Sequence, residues 1–255
     1  MVLLKDVMTR NPVCVKPDDL VTHARSLFRK HGFRALPVVS GGRLVGIISR
    51  GDVMLVTSTK ANLTVGGIMN PNVFTANPSD SIGEAAATII KSGVRQLPVV
   101  SGGKLVGIIS SMDILREFLR SGAGPSKERV SEVMTESVLY CEPDDDLHSI
   151  WNKMLVRGFT GLPVLEKGAV KGIVTRMDVL KHISGQIGRE SGKPRTVKVR
   201  RIMKSPAITI RPIDRISRAA GILVENRIIR LPVVDDKHRL LGILDIEDVI
   251  RAYMS

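Results

Sequence analysis

A four-residue phrase, Leu-Pro-Val-Val, recurs in this chain at a spacing that leaves little freedom in how the chain can fold. Leu36-Pro37-Val38-Val39 is followed, nine residues after Pro37, by Gly46-Ile47-Ile48-Ser49-Arg50-Gly51-Asp52. Leu97-Pro98-Val99-Val100 precedes Gly107-Ile108-Ile109-Ser110-Ser111-Met112-Asp113, and Leu162-Pro163-Val164-Leu165 precedes Gly172-Ile173-Val174-Thr175-Arg176-Met177-Asp178. The last copy, Leu231-Pro232-Val233-Val234 then Gly242-Ile243-Leu244-Asp245-Ile246-Glu247-Asp248, has one extra residue between its halves and a changed ending. Met8, Met69, Met134 and Met203 repeat at offsets of 61, 65 and 69, as do the four prolines. A fixed period of this kind signals repeated supersecondary units.

Each copy opens on Val-Met or Ile-Met and continues into a short extended piece: Val13-Cys14-Val15, Val73-Phe74-Thr75, Leu139-Tyr140-Cys141 and Ile208-Thr209-Ile210. After Pro17, Pro78, Pro143 and Pro212, carboxylates and hydroxyls stand ready to cap a helix: Asp18 or Asp19, Asp80 or Ser81, Asp144 to Asp146, and Asp214. Apolar residues then fall at helical spacing, as in Leu20, Ala24, Leu27 and Phe28, or Ile82, Ala86, Ile89 and Ile90. Gly32, Gly93 and Gly158 are expected to end the first three of these helices, with Asn226-Arg227 in the fourth. The Leu-Pro-Val-Val strand turns tightly at Gly41-Gly42 and Gly102-Gly103, and at Glu166-Lys167-Gly168 and Asp235-Asp236-Lys237-His238 in the later copies. The returning strand leads into a helix that starts near each Asp. The expected fold is mixed α/β, with four β-α-β-β-α repeats.

A unit of about 50 residues buries too little surface to be comfortably stable alone, so the repeats are expected to pair. Ser121-Gly122-Ala123-Gly124-Pro125-Ser126 is the clearest flexible stretch and divides copies one and two from three and four. The expected boundaries are 1–60 and 61–122 for the first pair, and 127–184 and 196–255 for the second. A basic insertion, 185–200, carries Arg189, Lys193, Arg195, Lys198 and Arg200. It reads as a solvated loop or as a site for an anionic partner.

The net charge is +13, with 15 basic against 8 acidic residues over 1–125 and 23 against 17 thereafter. Such an excess attracts anions of every kind, nucleotides and nucleic acid included, and does not choose between them. Aromatic residues make up 3% of the chain, which leaves few platforms for stacking bases. No run approaches the roughly 18 to 20 apolar residues of a membrane span, and the start lacks the features of a leader, so a cytoplasmic protein is expected. Cys14 and Cys141 form no CxxC pair; they are expected to be free thiols buried in strands, with no metal and no disulfide. His23, His31, His148, His182 and His238 fall at unrelated places in the copies, which gives catalysis no support.

The order of elements, the Leu-Pro-Val-Val strand and the Gly-Ile-x-Ser/Thr-x-x-Asp ending resemble the CBS domain, a regulatory module, and the resemblance covers nearly the whole chain. It implies pseudo-twofold pairs, or Bateman modules, whose clefts bind adenosine-containing ligands: AMP, ADP, ATP, or S-adenosylmethionine and methylthioadenosine. Residue by residue, it implies that Ser49, Asp52, Ser110, Asp113, Thr175 and Asp178 hold ribose and phosphate. Ile47, Ile108 and Ile173, with Val13, Phe74 and Tyr140, would pack on adenine, and Arg34 and Arg95 would meet phosphates. The residues supply a physical reason, since helix-start amides favour phosphate and a carboxylate there can accept ribose hydroxyls. Helix capping alone also accounts for all four Ser/Thr/Asp-x-x-Asp boxes.

Copy four departs from the pattern, with Asp245 in the Ser/Thr place, Glu247 beside Asp248, and its arginine moved one position to Arg230, where it can pair with those carboxylates. Copy three has Thr160 in place of the arginine. The first pair is therefore the better equipped for a phosphorylated ligand, while the second suits a less anionic one or none. The leading expectation is a sensor that requires no cofactor and no catalysis, and that signals ligand binding to a regulated protein. Nucleic-acid binding through the basic surface and a ligand-free dimerisation scaffold are the alternatives. Modules of this family build disc-shaped assemblies, and the repeats leave open a homodimer or a single-chain disc.

Overall fold

Tight reversal of two strands needs left-handed backbone, and the glycine pairs provide it. Gly41 and Gly42 have φ of 56° and 80°, and Gly102 and Gly103 of 56° and 78°. Lys167 takes the same place at φ 52° ahead of Gly168. The computed structural model describes residues 2–56, 62–186 and 197–254. By its internal contacts the chain divides into two units, Met1–Ala123 with Tyr253–Ser255, and Gly124–Ala252.

The first unit contains α1 (Leu4–Val7), β1 (Thr9–Arg10), α2 (Val21–His31), β2 (Ala35–Ser40), β3 (Arg43–Ser49), α3 (Arg50–Leu55), α4 (Ile82–Ser92), β4 (Gln96–Ser101), β5 (Lys104–Ser110) and α5 (Ser111–Ser121). The second contains α6 (Leu147–Val156), β6 (Gly161–Glu166), β7 (Ala169–Thr175), α7 (Arg176–Gln186), α8 (Ile216–Asn226), β8 (Arg230–Val234), β9 (Leu240–Asp245) and all but the last two residues of α9 (Ile246–Met254). In the first unit the hairpins β2–β3 and β4–β5 meet through Arg43 and Lys104 to form one sheet. Ala169 and Arg239 bridge the second unit's hairpins at the corresponding place.

Each hairpin carries the same irregularity, a register shift just after the Leu-Pro-Val run: at Val38/Val39, Val99/Val100, Val164/Leu165 and Val233/Val234. The expected opening strands are reduced to single parallel bridges on that run, Val15 to Val38, Ala76 to Val99, Cys141 to Val164 and Ile210 to Val233. These bridges also explain the proline. The Pro37 carbonyl accepts from Val15 N–H at 3.1 Å, and a strand residue's N–H and C=O point the same way. The missing N–H therefore faces a side where, among the described residues, the strand meets only this short bridge.

The residue after the repeated Met in each copy pairs with the other copy of its unit. Thr9 pairs with Ile108 and Asn70 with Ile47; in the second unit Thr135 pairs with Ile243 and Lys204 with Ile173. The exchange is reciprocal within each unit. It also reaches the cores: Val65, with Leu63, Ile68 and Met69, completes the apolar cluster of Val15, Ala24, Phe28, Leu36, Val38 and Ile48. Val197 and Val199, with Ile202 and Met203, do the same for Cys141, Ile150, Met154, Leu162 and Val174.

Of the expected helix starts, Ser81 and Asp146 cap as expected, while copies one and four depart from expectation. The N-cap residues of α2, α4, α6 and α8 are Leu20, Ser81, Asp146 and Arg215, and among these only Ser81 and Asp146 use a side chain. The first helical amide of each, at Val21, Ile82, Leu147 and Ile216, instead donates to a carbonyl of the exchanged segment: Leu63, Val2, Val197 and Glu128. Asp19, Asp80, Asp145 and Asp214 lie one residue before the N-caps and accept from the amides of Lys16, Asn77, Glu142 and Arg211, closing the proline turns. Gly32 and Gly93 end their helices as expected; Gly158 follows the C-cap Arg157, and Arg227 takes the left-handed position without glycine. Cys14 is exposed, against expectation, and Cys141 is buried. Of the basic insertion, Arg189, Lys193 and Arg195 lie outside the described residues; Arg200 pairs with Asp144.

Candidate functional site

The second helix of each of the first three copies starts on a reciprocal cap. Asp52 Oδ2 accepts from the Ser49 amide at 2.8 Å, and Ser49 Oγ accepts from the Asp52 amide at 3.2 Å. Ser110 and Asp113 repeat this at 3.0 and 3.3 Å, and Thr175 and Asp178 at 3.0 and 3.2 Å. Capping is thus a real duty of these pairs, and it engages one carboxylate oxygen of each Asp. The Asp113 Oδ1 is additionally held by Arg116 at 3.0 Å.

Backbone hydrogen bonds bring the arginines to the same helix starts. The Arg34 carbonyl accepts from Arg50 N–H at 2.9 Å, and the Arg95 carbonyl from Ser111 N–H at 3.0 Å. Arg34 and Arg95 are therefore neighbours of Ser49 and Ser110. Thr160 and Ile229 hold the equivalent places in copies three and four, bonded to Arg176 and Ile246. Arg176 is committed elsewhere, its guanidinium donating to the Met154 and Phe159 carbonyls at the end of α6. Arg50 caps the end of α2 through the Gly32 and Phe33 carbonyls, and burial lowers its pKa.

Ile47, Ile108 and Ile173 are half-buried, each opposite the proline of its own hairpin and bridged on the other side by the partner copy's opening segment. That segment was not among the residues expected near a site. Thr9, Asn70, Thr135 and Lys204 lie exposed against those isoleucines and Ile243, so each of these strands carries the partner copy's segment beside it. The signal available in the sequence was the residue after each repeated Met. Val13 and Phe74 are 37% and 54% exposed and occupy equivalent positions two residues before a parallel bridge. Tyr140 does not: the bridge at Cys141 puts Leu139 in that place and Tyr140 one residue on.

The glycine of each Gly-Ile pair lies beneath the exchanged methionine. A Cβ on Gly46 would lie 2.6 Å from Met69 Sδ, and one on Gly242 would lie 2.9 Å from Met134 Sδ. On Gly172 it would lie 2.6 Å from the Lys204 carbonyl oxygen. Glycine is required here by close approach, not by dihedral angle. The methionine and the glycine recur together because each copy supplies one to the other.

Copy four is built differently. Arg230 is the cross-strand partner of Asp245, where the other copies have Ala35 with Ser49, Gln96 with Ser110, and Gly161 with Thr175. Arg230 Nη2 lies 2.5 Å from Asp245 Oδ2, and Nη1 donates to the Gly161 carbonyl at 2.9 Å. Asp248 accepts from the Asp245 amide at 2.9 Å; burial, and then the Asp245 charge, push its carboxyl above the usual range. Among the described residues no group of His, Cys, Asp and Glu has the arrangement of a metal site, and no helix is long and apolar enough to cross a membrane.

Comparison with known proteins agrees with this architecture. The family model of the CBS domain matches four times, at residues 4–58, 65–120, 130–185 and 199–255. The chain is 28% identical over 277 residues to MJ1225 of Methanocaldococcus jannaschii, with 98% of each covered. The crystal structure of MJ1225 superimposes with a TM-score of 0.84 at 26% identity, over 98% of this chain and 99% of that one. A conserved protein of Pyrococcus horikoshii shares the fold at a TM-score of 0.73 and 23% identity, over 99% of this chain and 100% of that one. Four matched domains, laid out on two reciprocally exchanged pairs, make this chain a member of the CBS-domain family.

Proposed function

We propose that the chain is a regulatory protein that binds an adenosine-containing ligand in the clefts of its first unit and signals occupancy to a partner protein. The observation that carries this reading is the hydrogen bond from each second helix to an arginine-bearing residue, Arg50 to Arg34 and Ser111 to Arg95. It supports a site in which an arginine, a hydroxyl, a carboxylate and helix-start amides act on one ligand, a set suited to a ribose phosphate. Capping explains the hydroxyl and carboxylate and leaves the arginine unexplained. The candidate residues are Arg34, Ile47, Ser49, Asp52, Val13, Arg95, Ile108, Ser110, Asp113 and Phe74, with Thr9 and Asn70 added from the exchange. Ile173, Thr175 and Asp178 form a weaker set without the arginine, suited to a less anionic ligand such as S-adenosylmethionine. MJ1225 is itself regarded as a candidate archaeal homologue of γ-AMPK, which supports a regulatory role. A signal requires the ligand to favour one arrangement of the protein over another.

The test is the thermal midpoint of the purified chain with AMP, ADP, ATP, S-adenosylmethionine and methylthioadenosine, beside a short DNA duplex. A ligand at about 100 times its Kd stabilises by roughly 2.7 kcal/mol. The expected result is a shift with one adenosine compound that is lost in Asp52→Ala or Asp113→Ala. A shift with DNA alone, fading at higher salt, would transfer the function to nucleic acid.

A further inference from the structure

The copy-four helix start holds the parts of an anion site together with an anion of its own. Asp245 Oδ1 accepts from the first amide of α9, at Ile246, at 2.8 Å, and Oδ2 is held by Arg230. An arginine and a helix-start amide are the donors that an incoming phosphate would use. Arg230 is 11% exposed, and its Nε is buried without a hydrogen-bond partner among the described residues. Three positions meet in this arrangement. Asp245 stands where the other copies have serine or threonine, its cross-strand partner is Arg230, and the position facing Arg230 in copy three is Gly161, whose Cβ, if present, would lie 3.2 Å from Arg230 Nη1.

We infer that the Asp245 carboxylate is a built-in occupant that stands where a ligand phosphate would sit, closing the copy-four cleft to phosphorylated ligands while Arg230 retains the capacity to bind one. The inference rests on the reading of the clefts as sites for adenosine ligands, and it assigns Asp245 as the residue that sets their specificity. A lone cap does not require an arginine, and Arg230 is tied both to Asp245 and to the Gly161 carbonyl. Replacing Asp245 by the serine of copies one and two removes the tethered anion and leaves its two donors in place.

The experiment is calorimetric titration of the full chain with ADP and, separately, with inorganic pyrophosphate. The variants are Asp245→Ser, Asp245→Asn and Asp245→Ser with Arg230→Ala. Asp245→Asn keeps the size of the side chain and an oxygen for the Ile246 amide, so it tests the charge even where serine disturbs the helix start. The expected result is one more equivalent of ADP or pyrophosphate bound by Asp245→Ser and Asp245→Asn than by the unaltered chain. Removing Arg230 as well should weaken that added site about tenfold or more, the value of a charge-assisted hydrogen bond. Unchanged stoichiometry for both probes in folded Asp245→Asn overturns the inference and leaves the sensor reading intact. If the unaltered chain binds no adenine nucleotide while Asp245→Asn gains pyrophosphate, the sensor reading fails and the stand-in role of Asp245 survives.

Discussion

At the scale of single residues, Asp52 has a structural duty and a proposed binding duty, and substitution can divide them. Asp52→Ala removes the reciprocal cap with Ser49 and is expected to cost about 1 kcal/mol in chemical denaturation. Asp52→Asn keeps an acceptor for the Ser49 amide, so it should keep most of that stability and still weaken ligand binding. The two thiols should also separate. Cys14 is exposed and should react within seconds with an aromatic disulfide reagent at neutral pH, while Cys141 stays silent until the chain unfolds. Burial pushes the Cys141 thiol from an ordinary 9.0 up to about 12. Its contribution to stability is therefore intact below pH 9 and lost as pH rises toward 12, because the unfolded thiol releases its proton first. A pH series of denaturation midpoints for the parent and Cys141→Ala would reveal a difference confined to that alkaline window.

Among the elements, the methionine-on-glycine contacts make contrasting predictions for one kind of substitution. In Gly107→Ala the new methyl meets the Met8 side chain, so shortening Met8 to Ala should recover much of the loss. In Gly172→Ala it meets the Lys204 carbonyl at 2.6 Å, and no change at Met203 can relieve a backbone clash. Each single variant should lose about 1–3 kcal/mol, and thermal melts of the double variants separate the cases. These contacts also mark where the sequence stopped being legible. Hairpins, helix faces and second-helix caps all answer to neighbours close in sequence, and Gly41-Gly42 or Ser49-x-x-Asp52 announce them. Whether Met69 covers its own glycine or that of copy one is decided by a partner a long way off, and an exact repeat looks the same under either arrangement. For the same reason the first helices took their amide acceptors from Leu63, Val2, Val197 and Glu128, where local logic favoured the nearest Asp. Tyr140 was set one residue out of register although the constant offsets of 61 and 65 already align Val13 and Phe74 with Leu139, and the Cys141 bridge shows the same alignment.

For the whole molecule, exchange makes the pair the smallest piece that can fold. Copy one alone, residues 1–61, lacks Val65 and Met69 from its core and leaves the buried Leu4 without the backbone of residues 78–82 to dock on. That fragment should show no cooperative thermal transition, whereas 1–122 should melt in one step; circular dichroism would decide. The same arrangement bears on how the protein is made. Thr9 waits for Ile108, about a hundred residues later in the chain. At roughly 5–20 residues per second of synthesis, the segment around Thr9 waits about 5–20 seconds for its partner strand, with Met8 open to chaperones and to neighbouring chains. Within the first unit, a segment made early must wait for a strand made late.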